Sequence, residues 1–132
     1  MIALDSSAIM AIVLAEPEGL KFSQAIESDG DGRLSAANFL EIANVMEGRY
    51  GASGQVLLDG YMVRLKFAGV SVVAFDEIQA EFAREGFRRF GKGRHPAKLN
   101  FGDCFAYALA KALDAPLLYK GDDFDKTDIK RA

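Results

Sequence analysis

A chain of 132 residues, half of them hydrophobic, has enough apolar material for one domain with a proper core and no disordered or low-complexity character. Its net charge is −3, and it holds one cysteine and one histidine, which excludes an internal disulfide, a Cys/His zinc site and a paired-histidine ribonuclease mechanism. No GxGxxG or P-loop segment occurs, and the uncharged stretch near the start is far short of the ~20 residues that cross a bilayer, so a single cytoplasmic domain without membrane contact is expected.

The apolar run Met1-Ile-Ala-Leu-Asp5 predicts a short buried strand ending on a carboxylate. Ser6 or Ser7 is placed to cap a helix to about Ala15, which Glu16-Pro17 interrupts. Pro17 suits the first turn of a second helix to about Ser28, and Asp29 to Gly32 reads as a turn. Arg33 to Ser35 is a candidate short strand. Ser35 then caps a helix through about Tyr50, whose apolar residues Ala36, Phe39, Leu40, Ala43 and Met46 recur at helical spacing. A further helix over 52–68 stops at Gly69, and β-branched Val70 to Phe75 predicts a strand. Residues 76–90 predict a helix and Gly91 to Lys98 a basic loop. Asn100 or Phe101 opens an alanine-rich helix to Leu113, and Leu117 to Tyr119 reads as a strand. Asp128-Ile129 is a candidate for one more short strand. This alternation predicts an α/β fold, a three-layer α/β/α sandwich on a mainly parallel sheet.

Charge is distributed unevenly. Arg84 to Lys98 contains six basic residues against Glu85 alone, so the segment carries +5 and the remainder of the chain −8. A solvated helix end explains such a segment, and so does a phosphate-binding surface beside a cation-loaded pocket.

Four carboxylates stand out, each with a plainer alternative. Asp5 ends a strand, where ligands bind in parallel sheets, although it also suits a helix N-terminus. Ser6 and Ser7 are capping residues, or hydroxyls able to bond Asp5 or a metal-bound water. Glu41 interrupts an apolar helix, with Asn38 and Asn44 three residues to either side, a polar strip that faces either solvent or a wet cleft. Asp103 lies three residues after Asn100, as in a capping box, and is equally placed to present a metal to a phosphate. Asp122 and Asp123 form a Gly-Asp-Asp-Phe turn that backbone preference alone explains. Asp125 and Asp128 read as surface charge. Carboxylates gathered at one edge repel unless neutralised, and a hard divalent cation with oxygen ligands is the economical neutraliser.

The opening Ile2-Ala-Leu-Asp5-Ser-Ser-Ala8, mid-chain Glu41, the stretch Gly93 to Ala110 around Asp103, and Leu117-Leu-Tyr-Lys-Gly-Asp122-Asp-Phe124 together resemble a PIN domain. More narrowly they resemble the VapC ribonuclease toxins of prokaryotic toxin–antitoxin pairs, and the likeness runs from residue 1 to about 129. It implies a Mg²⁺- or Mn²⁺-dependent endoribonuclease whose acidic pocket is Asp5, Glu41, Asp103 and Asp122. Asp123 contends with Asp122 for the fourth role, and Asp122, directly after the glycine, is favoured. Asp5 and Asp103 would bind the metal directly, with Glu41 and Asp122 acting through water or on a second ion and Ser6 as an auxiliary group. Arg88, Arg89, Lys92, Arg94 and Lys98 would grip the RNA backbone. The resemblance further implies a homodimer and a VapB-like antitoxin that inserts an Arg or Lys across the pocket. It implies no direct DNA binding by this chain.

Two alternatives compete. One is a catalytically silent PIN-fold binding module, which the presence of all four carboxylates disfavours. The other is a metal-dependent phosphohydrolase of another α/β family. A haloacid-dehalogenase-type site would need an acid at position 7, which is Ser7, and a receiver domain would need a mid-chain Asp at a strand end, where helical Glu41 does not fit.

Overall fold

Four short parallel strands form the centre of the computed structural model, which describes residues 1–132. They are β1 (Ile2–Leu4), β2 (Gly32–Ser35), β3 (Ser71–Val73) and β4 (Leu117–Leu118), in the spatial order β3-β2-β1-β4. Ala3 lies in register with Arg33 on one side and Leu117 on the other. Each connection carries two helices: α1 (Ser6–Val13) and α2 (Gly19–Asp29), then α3 (Ala36–Tyr50) and α4 (Ala52–Phe67), then α5 (Glu77–Phe90) and α6 (Phe101–Leu113).

Alternation along the strands separates two cores, because successive strand side chains point to opposite faces. Ile2, Leu4, Leu34 and Leu118 pack with Ile9 and Ile12 of α1, Phe22 of α2, Ile42 and Met46 of α3, and Leu58 of α4. Ala3, Leu117 and Tyr119 pack on the other face with Phe90, Ala106, Tyr107, Leu109 and Ala110. The expected three-layer α/β/α sandwich is therefore observed. Its central strand β1 has Ala3 on the face covered by α6, where fully buried Ala106 and Ala108 keep that helix slim.

The order matters for function. The chain builds outward from β1 to β2 and β3, then returns to the other side of β1 to form β4. The point where the order reverses lies between β1 and β4, and crevices at such points, outside the carboxyl ends of strands, are where ligands bind in open α/β sheets. Asp5 directly follows β1, and the 120–123 turn follows β4.

Several local expectations need correction. Asp5, not Ser6 or Ser7, caps α1: its extended backbone and its acceptance of the Ser7 N–H make it the N-cap. Helix α2 starts at Gly19, leaving Pro17 in the turn before it. β3 is confined to Ser71–Val73. No strand forms at Asp128-Ile129. Instead Leu117 makes an isolated parallel bridge to Arg131, while Ile129 buries itself in the second core.

Asp125 and Asp128 are also more than surface charge. Asp128 accepts hydrogen bonds from Tyr107 Oη (3.0 Å), Lys111 Nζ (2.9 Å) and Arg89 (3.4 Å), and Asp125 accepts from Tyr119 Oη and Arg131. These contacts clamp the C-terminal segment onto α6 and β4.

Candidate active site

Asp5 is the buried floor of the site. It is 4% exposed, and Oδ2 accepts from both the Ser7 N–H at 3.0 Å and Ser7 Oγ at 2.5 Å. Burial pushes its carboxyl up to about 6; the charges of Asp103 and Glu41 add to the rise, and the two Ser7 bonds oppose it. Ser7 Oγ also accepts from the Lys120 N–H at 3.0 Å. One hydroxyl thus ties the end of β1 to the turn that bears Asp122 and Asp123.

Glu41 enters from α3, and its Oε1 is held from two sides. Ser6 Oγ donates to it at 2.5 Å and Asn38 Nδ2 at 3.3 Å, leaving Oε2 without a protein donor. Its carboxylate rests on the α-carbon of Gly102, where any Cβ would overlap Oε2. The polar strip on α3 accordingly divides: Asn38 and Glu41 face this cleft, and Asn44 faces solvent.

Asp103 stands on the first turn of α6. Its Oδ2 accepts from the Asn100 N–H, and Asn100 Oδ1 accepts from the Asp103 N–H, both at 2.9 Å. The capping box read from the sequence is present and fixes the carboxylate at the helix start. Burial raises this carboxyl above its ordinary value, the Asn100 N–H opposes that rise, and the charges of Glu41 and Asp123 add to it. Asp123, which opens a short 3-10 turn over Asp123–Lys126, is therefore the member of the Asp122-Asp123 pair whose charge Asp103 feels. Both remain exposed, so the pocket grades from the buried Asp5 to an open rim.

The chemistry of this donor set is uniform. None of Asp5, Glu41, Asp103, Asp122 and Asp123 takes part in any of the chain's nine salt bridges, although Lys and Arg satisfy acids elsewhere. An all-oxygen, uncompensated acidic set that raises its own members' pKa values fits a hard cation. No three of these side chains converge closely enough to enclose an ion by themselves. Cys104, pushed up to about 11 by burial and by the charge of Asp103, is a core thiol. His95 Nδ1 accepts the Ala97 N–H and its ring meets Phe90 edge-on, a structural role.

The basic residues fall into two groups. Arg89 is engaged with Glu85 and Asp128, and Arg84 with Glu81. Arg88, Lys92, Arg94 and Lys98 are exposed and make no ion pair. Arg88 and Arg94 line an open groove of about 1140 Å³ with Phe87, Phe101 and Phe105. Lys98 lies on the loop that leads into α6 and Asp103.

A family model for the PIN domain matches residues 2–130. The chain belongs to the PIN-domain family. A VapC ribonuclease of Mycobacterium bovis and ribonuclease VapC30 of Mycobacterium tuberculosis are each 46% identical to this PIN domain over 126 residues, covering 96% of this chain and 94% of theirs. Ribonuclease VapC of Mycolicibacterium smegmatis is 46% identical over the same length, covering 95% of that protein. Among solved structures, Mycobacterium tuberculosis VapC20, described as a sarcin-ricin loop cleaving toxin, superposes with a TM-score of 0.77 at 16% identity, over 100% of this chain and 98% of that one. VapBC2 from Rickettsia felis, bound to a DNA fragment from its promoter, gives 0.75 at 14% identity with the same coverage. At these identities the superpositions speak for the fold.

Sequence reasoning offered the Ser7 hydroxyl to Asp5 and left Asn38 facing either solvent or a cleft, but it did not find Gly102 or the bond from Lys120 to Ser7. Asn38 had a signal, being a carboxamide one helical turn before Glu41. Gly102 and the Ser7–Lys120 bond had none, because both depend on which elements meet in space.

Proposed function

We propose that this chain is a metal-dependent endoribonuclease, the toxin of a toxin–antitoxin pair, cleaving RNA at the Asp5–Glu41–Asp103 pocket. One observation carries the proposal: Asp5, Glu41 and Asp103, from three elements, border one cleft at the switch point of a parallel sheet, linked through Ser6, Ser7 and Gly102, and no basic side chain pairs with them. Relatives at 46% identity over nearly the whole chain are named ribonucleases, which supports the activity.

Mg²⁺ or Mn²⁺ suits the donor set, with Asp5 and Asp103 as its holders and Glu41 acting through water. When bound, such a cation neutralises phosphate charge and lowers the pKa of an attacking water. The chain's own residues do the positioning. Ser7 and the N-cap geometry fix Asp5, the capping box fixes Asp103, and Ser6 with Asn38 leaves Glu41 Oε2 to orient a water. The fourth carboxylate belongs to the exposed turn after β4: Asp122, directly after Gly121, is the expected one, and the charge of Asp123 also reaches Asp103. In-line attack by water leaves a 5′-phosphate and a 3′-hydroxyl.

Arg88, Lys92, Arg94 and Lys98 remain free for phosphates, and the aromatic walls beside Arg88 and Arg94 suit unstacked bases. Arg89, already paired, contributes less. A VapB-like antitoxin is the expected partner; a guanidinium or ammonium from it placed among these acids would compete with the cation. Promoter contact is left to that partner. A homodimer belongs to the same reading. Cytoplasmic placement follows from an RNA substrate, and no helix is long and apolar enough to cross a membrane.

The test is incubation of partner-free protein with total and transfer RNA in Mg²⁺, Mn²⁺ or EDTA, with end-group analysis. Metal-dependent cleavage leaving 5′-phosphates is expected. Cleavage that persists in EDTA, or cyclic-phosphate ends, would overturn the mechanism, and Mg²⁺ binding without cleavage of any RNA would favour a silent binding module.

A further inference from the structure

We propose that Asn38 is a positioning residue: its carboxamide locks Glu41 in place and latches α3 to the first turn of α6, which carries Asp103. The proposal rests on the nuclease reading of that pocket and adds a residue to it.

Asn38 is fully buried on α3, with 0% exposure. Its Nδ2 donates to Glu41 Oε1 at 3.3 Å and to the Gly102 carbonyl oxygen at 3.0 Å. Both partners are acceptors, so only the amide nitrogen, with its two hydrogens, can face them, and the orientation of the group is determined. The cost is visible on the other side, where Oδ1 is buried with no hydrogen-bond partner. An unpaired buried acceptor is costly, whereas a leucine at the same buried position would carry no such penalty. What a carboxamide alone supplies here is a pair of donors aimed at a carboxylate and at the helix beside it.

The surroundings explain why Glu41 needs such a hold. Its side chain is long and half-buried, and an unconstrained glutamate would sample several rotamers. Ser6 Oγ from α1 and Asn38 Nδ2 from α3 converge on the same oxygen, Oε1, while Gly102 leaves space for Oε2 by having no side chain. The carboxylate is thereby fixed against three elements before any ligand arrives, the preorganisation that reactive geometry requires. Because the second Asn38 hydrogen bond ends on Gly102, the residue before Asp103, the same amide sets the distance between Glu41 and Asp103.

The experiment compares wild type, Asn38→Ala, Asn38→Leu, Glu41→Gln and the Asn38→Leu/Glu41→Gln double variant. Asn38→Leu fills the buried volume without a donor, so it separates positioning from packing even where Asn38→Ala fails to fold. Three quantities are read: melting temperature, Mn²⁺ affinity of the RNA-free protein by calorimetry, and kcat and KM for RNA cleavage. In Asn38→Leu we expect kcat to fall at least tenfold at unchanged KM, with Mn²⁺ binding weakened several-fold and the melting temperature maintained. In the Glu41→Gln background the same substitution should cost less than twofold, because the group it positions is already gone. Unchanged kcat and Mn²⁺ affinity in Asn38→Leu would overturn the inference, as would an equal loss in both backgrounds. If wild type cleaves no RNA, the nuclease reading fails, while the Mn²⁺ titration still decides whether Asn38 organises the pocket.

Discussion

Replacing Asp5 with asparagine should make the metal-free protein more stable while destroying its function. Asp5 is 4% exposed, and its carboxyl is moved from its ordinary 3.8 to about 6, chiefly by burial and then by the charges of Asp103 and Glu41. At about 1.36 kcal/mol per tenfold change in proton affinity, the ionised form costs the fold roughly 3 kcal/mol. The protonated form is favoured in the folded state, so no cost exists below pH 3.8. The cost develops as pH rises towards 6 and is complete above it. Asparagine keeps an oxygen for the Ser7 N–H and Oγ and is as good an N-cap as aspartate. Part of the desolvation penalty remains for the amide, so a gain of about 1–3 kcal/mol is expected at pH 7.5 in EDTA, with little difference at pH 4. Urea denaturation of both proteins at the two pH values measures this directly. Adding Mg²⁺ should then stabilise wild type, by about 2.7 kcal/mol at a hundred times its dissociation constant, and leave the variant nearly unchanged. An Asp5→Asn protein that is less stable than wild type at pH 7.5, or that differs equally at both pH values, would refute the argument that the charge of Asp5 is held against its own cost.

Gly102→Ala should displace Glu41, since the new Cβ overlaps Oε2; we expect cleavage to fall at least tenfold with little change in stability, because only the end of a flexible side chain must move and alanine favours the helix, read by a cleavage time course and thermal melting. Asp128→Asn removes the charged acceptor shared by Tyr107, Lys111 and Arg89 and should cost roughly 1–2 kcal/mol of stability with cleavage unchanged, because the cluster lies outside the acidic pocket. Arg88→Ala combined with Arg94→Ala should weaken RNA binding and reduce the magnitude of its salt slope by about 1.4 if both residues contact phosphate, which fluorescence anisotropy at several salt concentrations measures.

The fold was legible in the sequence because its signals are local. Alternating apolar runs and caps such as Ser35 and the Asn100–Asp103 pair are encoded within a few residues, and they delivered the layer order and the start of α6. Errors arose where a residue's role depends on distant neighbours. Asp128 reads as surface charge until Tyr107 and Lys111 of α6 are seen to bond it, and the C-terminal bridge forms at Arg131 because Ile129 is drawn into the second core. The carboxylates of the site were each ambiguous alone. Asp103 serves both as capping-box member and as pocket acid, so the plainer reading and the functional one hold together. The support around them was least legible, since nothing near position 102 in the chain announces that Glu41 will lie against it.

The central claim, that the shared acidic pocket performs the cleavage, is tested most directly by single-turnover cleavage of one RNA by wild type, Asp5→Asn and Asp103→Asn at saturating Mg²⁺. Both variants should lose cleavage by at least a hundredfold while melting, in EDTA, at or above the wild-type temperature. Robust cleavage by either folded variant would place the chemistry elsewhere and contradict the account.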